Sequence, residues 1–309
     1  MRSPRYVLKP PEVRSQDAMV SCLSSKADQV QISPTDWESC FFSIPPSECC
    51  RSDKVQRLLI DGVPQVIRHR VWGYSTNSMT SRIDGLFAQL VARELEDVPS
   101  TLDTDVEQFV DKHPNVCYTP LVTILRAYMA HVPDIRYHPG LVSIAGFILL
   151  QCSHDEEDAF WLFVSLMNTH MRPFFSDNAD DFKTHAAYIE SYMLEKHDLL
   201  MGAIRETLVN SPLALCRAWF PHMFVDILPI GHLLRVWDYI FCLGVQNLSS
   251  IVVEILTSDW MFDALGEAQD KNTVLDILEI PFTFVPPDDP NSFAMKFVRY
   301  DPLEILKID

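Results

Sequence analysis

Glycine is scarce in this sequence, and so is any regular alternation of polar and apolar residues. The chain has 309 residues but only nine glycines, and no stretch sustains a two-residue period. Tight β-hairpin turns depend on glycine, and half-buried strands show that alternation. Both absences argue against a sheet built on hairpins and leave an all-α fold as the expectation.

Closely spaced cysteine pairs are also missing. None of the eight cysteines forms a CxxC pair, which argues against a zinc ribbon or a small disulfide framework. No apolar run typical of a secretory signal lies near the N-terminus. We therefore expect a cytoplasmic protein with free thiols in a reducing compartment. A transit peptide stays a minor alternative because the first residues carry Arg2, Arg5, Lys9 and Arg14.

Positive charge is in short supply. The sequence has 25 Lys and Arg against 42 Asp and Glu, a formal net charge of −17. Nucleic acids and anionic membranes bind clustered Lys and Arg, so neither is expected as a general partner. The longest apolar segment, residues 141–150, is well below the roughly 20 residues needed to cross a bilayer, so we expect no transmembrane segment.

The common signatures of enzyme sites are absent. The sequence contains no GxxxxGK[ST] phosphate loop, no GxGxxG after a strand, no GxSxG and no HExxH. Its ten histidines are scattered, and the acidic run at residues 155–158, directly after His154, is typical of a helix N-terminus rather than a metal site. We therefore expect neither a metal nor another cofactor.

Helical periodicity is what the sequence does contain. Ser52 or Asp53 is predicted to cap a helix that ends at Gly62, and Thr80 or Ser81 to cap a long amphipathic helix that runs to Leu95. Residues 141–150 are apolar on every side, which predicts a helix buried in the core. Further helices are predicted near residues 103–110, 119–129, 155–167, 180–194, 197–209, 212–220, 231–243 and 248–261.

Composition predicts three regions along the chain. Residues 1–35 show no period and are predicted to be a poorly ordered arm. Residues 36–280 carry the helical patterns and form the expected domain. Residues 281–309 contain five prolines and are predicted to be a mostly irregular, Pro-rich extension.

Short motifs rich in Trp, Pro and Gly recur between residues 59 and 244. They are LIDGVP at 59–64, RHRVW at 68–72, AFW at 159–161, WFPHMF at 219–224, and LP at 228–229 with LRVWD at 234–238 before Gly244. In this order they resemble landmarks of the TBC family, the GTPase-activating domains directed at Rab proteins. The resemblance covers about residues 53–265 and implies an all-α, multi-helix domain whose partner is a Rab-type small GTPase.

The resemblance also implies two finger residues, and this sequence departs from the family at both. In the family, an Arg in a DxxRT motif neutralises charge on the γ-phosphoryl group, and a Gln in a YxQG motif orients the attacking water. Here the first motif is DVPST at 97–101, which places Ser100 at the Arg position. The second is YHPG at 137–140, which places Pro139 at the Gln position. Neither side chain can replace the group expected there.

The sequence offers three candidate surrogates and six candidate GTPase contacts. Arg136 and His138 flank the altered Gln position, whereas Arg93 lies about 10 Å from Ser100 if the intervening chain is helical. The residues that still match the family around the expected groove are Arg68, Trp72, Asp97, Thr101, Tyr137 and Gly140. For Trp72 and Tyr137, simple packing is the alternative role.

Three functional hypotheses follow from the resemblance. The first is a regulator of Rab-type GTPases that binds them with weak or no GTPase-activating capacity, a pseudo-GAP of vesicle trafficking that reaches endomembranes only through its partners. The second is an active GTPase-activating protein that uses a non-standard residue or the Rab's own Gln. The third is a protein-interaction scaffold that binds no GTPase. The sequence leaves the oligomeric state open.

Overall fold

The computed structural model describes residues 33–95, 98–153, 155–176, 180–207, 211–267, 273–274, 277–278 and 289–298. All of them lie in one of the two units into which the chain divides, residues 32–309. Within these ranges the chain is helical and contains no strand, so the predicted all-α fold is confirmed. The predicted N-terminal arm lies outside the described residues up to residue 32, and Ser33 already caps the first helix.

The α-helices of the described ranges are α1 (Pro34–Ser43), α2 (Asp53–Asp61), α3 (Arg68–Ser75), α4 (Ser78–Ser81), α5 (Leu86–Val91), α6 (Leu102–Lys112), α7 (Tyr118–His131), α8 (Gly140–Gln151), α9 (Glu156–Leu166), α10 (Asp180–Lys196), α11 (Asp198–Thr207), α12 (Ser211–Trp219), α13 (Ile230–Leu243), α14 (Leu248–Thr257), α15 (Asp259–Glu267) and α16 (Pro290–Val298). Short 3₁₀ segments lie at Pro46–Arg51, Gln65–Ile67, Arg172–Phe175 and Val245–Asn247. A π-helical turn, Met167–Met171, continues α9. None of the helices described combines the length and apolar character needed to cross a bilayer.

Helix α8 lies at the centre of the core, as its apolar sequence predicts. Ten of its twelve residues are buried, and it packs against α3, α6, α7 and α9. Gly146 permits the approach of α6, because a Cβ at this position would lie 2.3 Å from the Phe109 ring. The rest of the domain is therefore arranged around one helix with no solvent-facing side.

Two of the predicted helix ends are confirmed by their hydrogen bonds. The Ser52 hydroxyl accepts a hydrogen bond from the Val55 amide, and Gly62 ends α2 with a φ of 117°. At the start of α9, the Asp155 carboxylate accepts from the Asp158 amide at 2.9 Å. The acidic run is thus a helix cap, and the part of the chain that the structure describes contains no group of three or more side chains able to hold a metal ion.

The predicted helix from residue 80 to residue 95 is wrong. Gly85 adopts a left-handed conformation with a φ of 75°, which breaks the chain into α4 and the six-residue α5. Ile83, expected on the buried face, is 56% exposed. The predicted helix at 248–261 is also broken, because Ser258 is extended between α14 and α15. The apolar residues keep their helical spacing across both breaks, so periodicity alone did not detect the breaks.

The predicted irregular extension is wrong for residues 290–298. Pro290 begins α16, where its fixed φ is compatible with a first turn. Phe293 and Ala294 are fully buried, and α16 packs against α13 and α14. The rest of 281–309, apart from Asp289, lies outside the described residues.

Candidate functional site

Two surface segments carry Ser100 and Pro139, the positions where the motif resemblance predicts the fingers. Ser100 is exposed just before α6, and Pro139 is exposed immediately before α8. Pro139 has a φ of −54° and a ψ of −26°, a conformation that most residues can adopt. Asp97, one of the predicted contacts, lies outside the described residues. We call the surface formed by Ser100, Thr101, Tyr137 and Pro139 the two-loop surface.

Tyr137 joins the two segments. Its hydroxyl donates a hydrogen bond to Oδ2 of Asp105 at 2.7 Å, and the Thr101 side chain also hydrogen-bonds to it. Burial and the Asp105 carboxylate raise the pKa of Tyr137, so the phenol stays protonated and remains a donor. Because Thr101 and Asp105 lie at the start of α6, this contact holds the Ser100 segment beside the start of α8.

The loop between α12 and α13, residues 220–229, is a third segment of the candidate site. Sequence analysis did not identify this loop as part of the site. The N-terminus of α8 approaches this loop so closely that a Cβ on Gly140 would lie 2.2 Å from the Pro221 carbonyl oxygen. Ser143 Oγ and His222 Nδ1 are 2.9 Å apart, which joins the same loop to α8. Glycine is therefore required at position 140 because the two backbones approach closely there. The motif contains this glycine but gives no reason for it.

The same loop has an unusual backbone. Met223, Phe224 and Asp226 all have positive φ angles, of 47°, 62° and 65°. Burial of Met223 and Phe224 and a 2.9 Å hydrogen bond from Trp237 Nε1 to the Met223 carbonyl hold this conformation. Non-glycine residues in this region cost of order 1–3 kcal/mol each, so the loop stores strain beside the two-loop surface.

Asp226 connects this loop to α6. Its Oδ1 lies 2.8 Å from Nε2 of His113, and its Oδ2 lies 3.7 Å from Nζ of Lys112. Although burial alone would raise the pKa of Asp226, these cationic and hydrogen-bonding neighbours hold it below its ordinary value. The carboxylate is therefore ionised and fixes the loop to the helix that also binds Tyr137.

His138 is an uncharged packing residue in this arrangement. Its ring contacts those of Phe175 and His222, with centroids 5.9 and 5.5 Å away, and its Nδ1 accepts a hydrogen bond from the Gly140 amide at 2.9 Å. Burial lowers the pKa of His138 and lowers that of His222 to about 4. At neutral pH neither ring supplies the positive charge of an arginine finger.

The two candidate arginine surrogates are both exposed but lie differently. Arg93 follows α5, and its Nη1 donates to the Ala130 carbonyl near the end of α7 at 3.4 Å. Arg136 directly precedes Tyr137, on the segment that carries Pro139. Of the two, Arg136 therefore shares a segment of the two-loop surface.

Arg68 and Trp72, predicted as GTPase contacts, lie in the core. Oδ1 of Asp238 accepts from Arg68 Nε at 3.0 Å and from Trp72 Nε1 at 2.9 Å, and its Oδ2 accepts from Arg235 at 3.2 Å. Asp238 and Trp72 are fully buried, and Arg68 is 7% exposed. Such burial favours the packing role for Trp72. It favours a structural role for Arg68 as well. Of the six predicted contacts, Thr101, Tyr137 and Gly140 are those that the structure brings together.

The approach of Gly140 to Pro221 gives a stability prediction. We expect Gly140→Ala to destabilise the protein by about 1–3 kcal/mol, because backbone atoms must move to admit the methyl group. The matched control is Gly202→Ala in α11, where a Cβ meets nothing within 4 Å and helix propensity predicts a gain of up to about 1 kcal/mol. Urea unfolding of both variants measures the difference, and equal stabilities would contradict the close approach.

The sequence is similar to that of proteins named for a TBC domain or for GTPase activation. The chain aligns with human Growth hormone-regulated TBC protein 1 at 29% identity over 219 residues, which are 67% of this chain and 64% of that protein. It aligns with the GTPase-activating protein GYP5 of Eremothecium gossypii at 24% identity over 209 residues, 66% of this chain and 24% of that protein. The chain thus spans less than two thirds of the length of these relatives.

Solved structures agree in fold. The crystal structure of the Chlamydomonas flagellar RabGAP TBC domain superposes with a TM-score of 0.68 at 17% identity, covering 90% of this chain and 99% of that one. The Ypt/Rab-GAP domain of Gyp1p gives a TM-score of 0.59 at 13% identity, covering 86% and 98%. The family model described as the Rab-GTPase-TBC domain matches residues 86–260, more than half of the chain. The protein belongs to the Rab-GTPase-TBC domain family.

Proposed function

We propose that this protein binds a Rab-type small GTPase at the two-loop surface without supplying the two-finger mechanism, and so acts as a pseudo-GAP. The observation that carries the proposal is the pair of residues at the finger positions. Ser100 and Pro139 are both exposed at that surface, where a finger would have to lie, but neither offers a charge or an amide. Family membership supports the choice of partner.

Three contacts fix the segments that would carry the fingers. Tyr137 bonds to Asp105, Gly140 packs against Pro221, and Asp226 joins His113, so three separate contacts fix the site. Each contact restricts the segments at the site rather than supplying chemistry. A protein that binds a GTPase without activating it requires a docking surface of fixed shape, but it does not require the Arg and Gln side chains at the finger positions.

The expected loss of activation is large. An arginine finger contributes on the order of 10³ to 10⁵ in rate, because its guanidinium stabilises charge on the transferring phosphoryl group. A serine hydroxyl has no charge and is too short to reach as far, and a proline lacks even an amide hydrogen. Bound GTPase would therefore hydrolyse GTP close to its intrinsic rate, and the protein would act as an effector, scaffold or competitor on the membranes where its partner resides.

The test is single-turnover GTP hydrolysis by a panel of GTP-loaded Rab proteins, with and without excess protein, with binding recorded in the same samples. We expect at least one Rab to bind with less than about tenfold acceleration. Acceleration by about a hundredfold or more would overturn the pseudo-GAP proposal. Failure of every Rab to bind would instead favour the hypothesis of a protein-interaction scaffold that binds no GTPase.

A second candidate is an active GTPase-activating protein that uses Arg136. The position of Arg136, an exposed residue on the segment of Pro139, is the observation that favours it. If a Rab is accelerated, Arg136→Ala should remove most of the acceleration, whereas Arg93→Ala is the matched control from the segment before Ser100. Loss of activity in the Arg93 variant alone would reassign the finger to Arg93.

A further inference from the structure

His138 occupies a capping position at the start of α8. Its Nδ1 accepts a hydrogen bond from the Gly140 amide at 2.9 Å, and its carbonyl oxygen accepts one from the Leu141 amide at 2.9 Å. Pro139, between them, has helical backbone angles. Proline suits a first helical position, and a capping side chain accepts from one of the amides that follow it. An imidazole nitrogen of His138 therefore takes the role that a Ser or Asp oxygen usually has.

This hydrogen bond fixes the protonation state of the His138 ring. A backbone N–H can only donate, so Nδ1 carries a lone pair and the ring proton lies on Nε2. A second proton would go to Nδ1, where it would turn the acceptor into a donor that faces another donor. It would also place a positive charge at the positive end of the α8 dipole. Only the neutral ring can therefore cap α8.

A second imidazole ring opposes the same proton. The ring centroids of His138 and His222 are 5.5 Å apart, and positive charges at this spacing repel each other. The Ser143 hydroxyl, 2.9 Å from Nδ1 of His222, can donate or accept, so this contact does not depend on the charge of the His222 ring. Protonation therefore acts mainly through the cap that His138 provides.

Charged groups of both signs surround the two rings. Asp105 on α6 favours a charged His138, whereas the neighbouring Arg136 opposes it. Asp226 favours a charged His222, whereas Lys112 on α6 opposes it. The remaining groups are already paired, His113 of α6 with Asp226, and Arg172, from the segment that carries Phe175, with Asp134. Because the charges oppose one another, burial of the rings decides which form is favoured, and it favours the neutral one.

We propose that His138 is a positioning residue whose neutral ring holds the start of α8 beside the loop between α12 and α13, and that its protonation in mildly acidic solution releases the two-loop surface. The release is a property of the fold, whereas its consequence for GTPase binding rests on the proposed function. Since Pro139 and Gly140 form the capped turn, loss of the cap loosens the finger position and the contact with Pro221 together.

The direction of the pH dependence follows from the burial of His138. Burial lowers the pKa of His138 from its ordinary value of 6.5. The stabilisation is therefore fully present above pH 6.5 and is lost as the pH falls from there through the lower folded value. Release of one ring to its ordinary pKa raises the equilibrium constant for local opening by up to about tenfold between pH 7.5 and pH 5.5.

Hydrogen exchange of the full chain tests the release. Peptides that cover residues 137–143 are followed by mass spectrometry at pH 7.5 and pH 5.5, and the rates are corrected for the intrinsic pH dependence of exchange. We expect opening at the start of α8 to increase by about threefold or more at pH 5.5, while peptides of α13 keep their protection. The nitrogen chemical shifts of the His138 ring give a second test. A neutral ring with its proton on Nδ1 at pH 7.5 would overturn the proposal.

His138→Asn is the matched variant. Its Oδ1 can replace Nδ1 as the acceptor of the Gly140 amide, but it does not titrate. We expect this variant to lose most of the pH dependence of exchange. His131→Asn, at a ring that contacts Phe160 and Trp161 instead, should keep it. Equal pH dependence in the wild type and in His138→Asn would overturn the proposal, whether the opening stays at α8 or spreads through the chain.

The consequence for binding is measured with a GTP-loaded Rab that binds in the panel. The wild type should bind this Rab about threefold or more weakly at pH 5.5 than at pH 7.5, and His138→Asn should show little of this change. The variant also controls for titration of the Rab itself. Equal pH dependence of binding in both proteins would overturn the link between His138 and docking. Failure of every Rab to bind at either pH would count against the proposed function, and the exchange experiment would still decide whether His138 caps α8.

Discussion

Ser100→Arg combined with Pro139→Gln is expected to raise single-turnover GTP hydrolysis by a bound Rab by about 10³-fold or more. The double variant places a guanidinium and a carboxamide at two exposed positions of the two-loop surface. A guanidinium forms bidentate hydrogen bonds to phosphoryl oxygens and keeps its charge, and a carboxamide both donates and accepts. The gain is expected because the contacts that position both segments are already present.

The structure can accommodate both substitutions. Pro139 is exposed, and its φ of −54° and ψ of −26° suit a glutamine. The new amide hydrogen faces no helical partner, since the first N–H groups of a helix have none. Ser100 is exposed, so an arginine there meets no core residue. We therefore expect the double variant to fold with a stability within about 1 kcal/mol of the wild type.

The control is Ser100→Lys combined with Pro139→Gln. Lysine carries the same charge as arginine but lacks its planar fork, so its gain should fall well short. Binding of the Rab is measured for all three proteins. A double arginine–glutamine variant that folds and binds but does not accelerate hydrolysis would contradict the assignment of the two finger positions. One that folds but binds no Rab would favour the scaffold hypothesis.

Asp238→Asn is expected to destabilise the domain by about 3–5 kcal/mol, the usual cost of breaking a buried ion pair from one side. The carboxylate of Asp238 is fully buried and accepts hydrogen bonds from Arg68, Trp72 and Arg235. An asparagine keeps the shape and one acceptor oxygen, but it leaves two guanidinium groups in the core without a counter-charge. The carboxamide hydrogens would also face these donors.

Denaturant unfolding measures this loss, and an exposed pair provides the control. Glu190→Gln removes the partner of Arg205 at a site where both side chains are more than 40% exposed, so its cost should stay below about 1 kcal/mol. Near-equal losses in the two variants would show that Asp238 contributes no more than a surface charge. Arg68 and Arg235 also donate to the carbonyls of Val63 and Leu59, so part of the network can persist.

The sequence predicted elements whose signals are local. The apolar run of α8, the Ser52 cap and the acidic start of α9 were all confirmed, because each is set by residues within a few positions of one another. The break at Gly85 was missed because the apolar spacing continues across it. Helix α16 was missed because the prolines at and before its start indicated irregular chain, whereas burial of Phe293 decides the outcome.

The site was predicted only in part for a related reason. Motif resemblance located Ser100, Tyr137, Pro139 and Gly140, but it carried no information on what each touches. The contact of Gly140 with Pro221 joins residues about 80 positions apart, and no local pattern encodes such a contact. Arg68 was predicted to contact the GTPase because it belongs to a motif of the family. Its ion pair with Asp238, 170 positions away, is visible only in the folded core.

The packing of α1 and α3 determines how short a stable fragment can be. The family match begins at residue 86, yet Trp37 is fully buried and its Nε1 donates to the Gly62 carbonyl at 3.1 Å, and Tyr74 donates to the Ile44 carbonyl at 2.6 Å. A fragment trimmed to residues 86–260 would lack all four of these groups. It would also expose the face of α13 that α2 and α3 cover. A fragment expressed to keep these contacts therefore has to reach back at least to Ser33, about fifty residues before the recognisable family sequence.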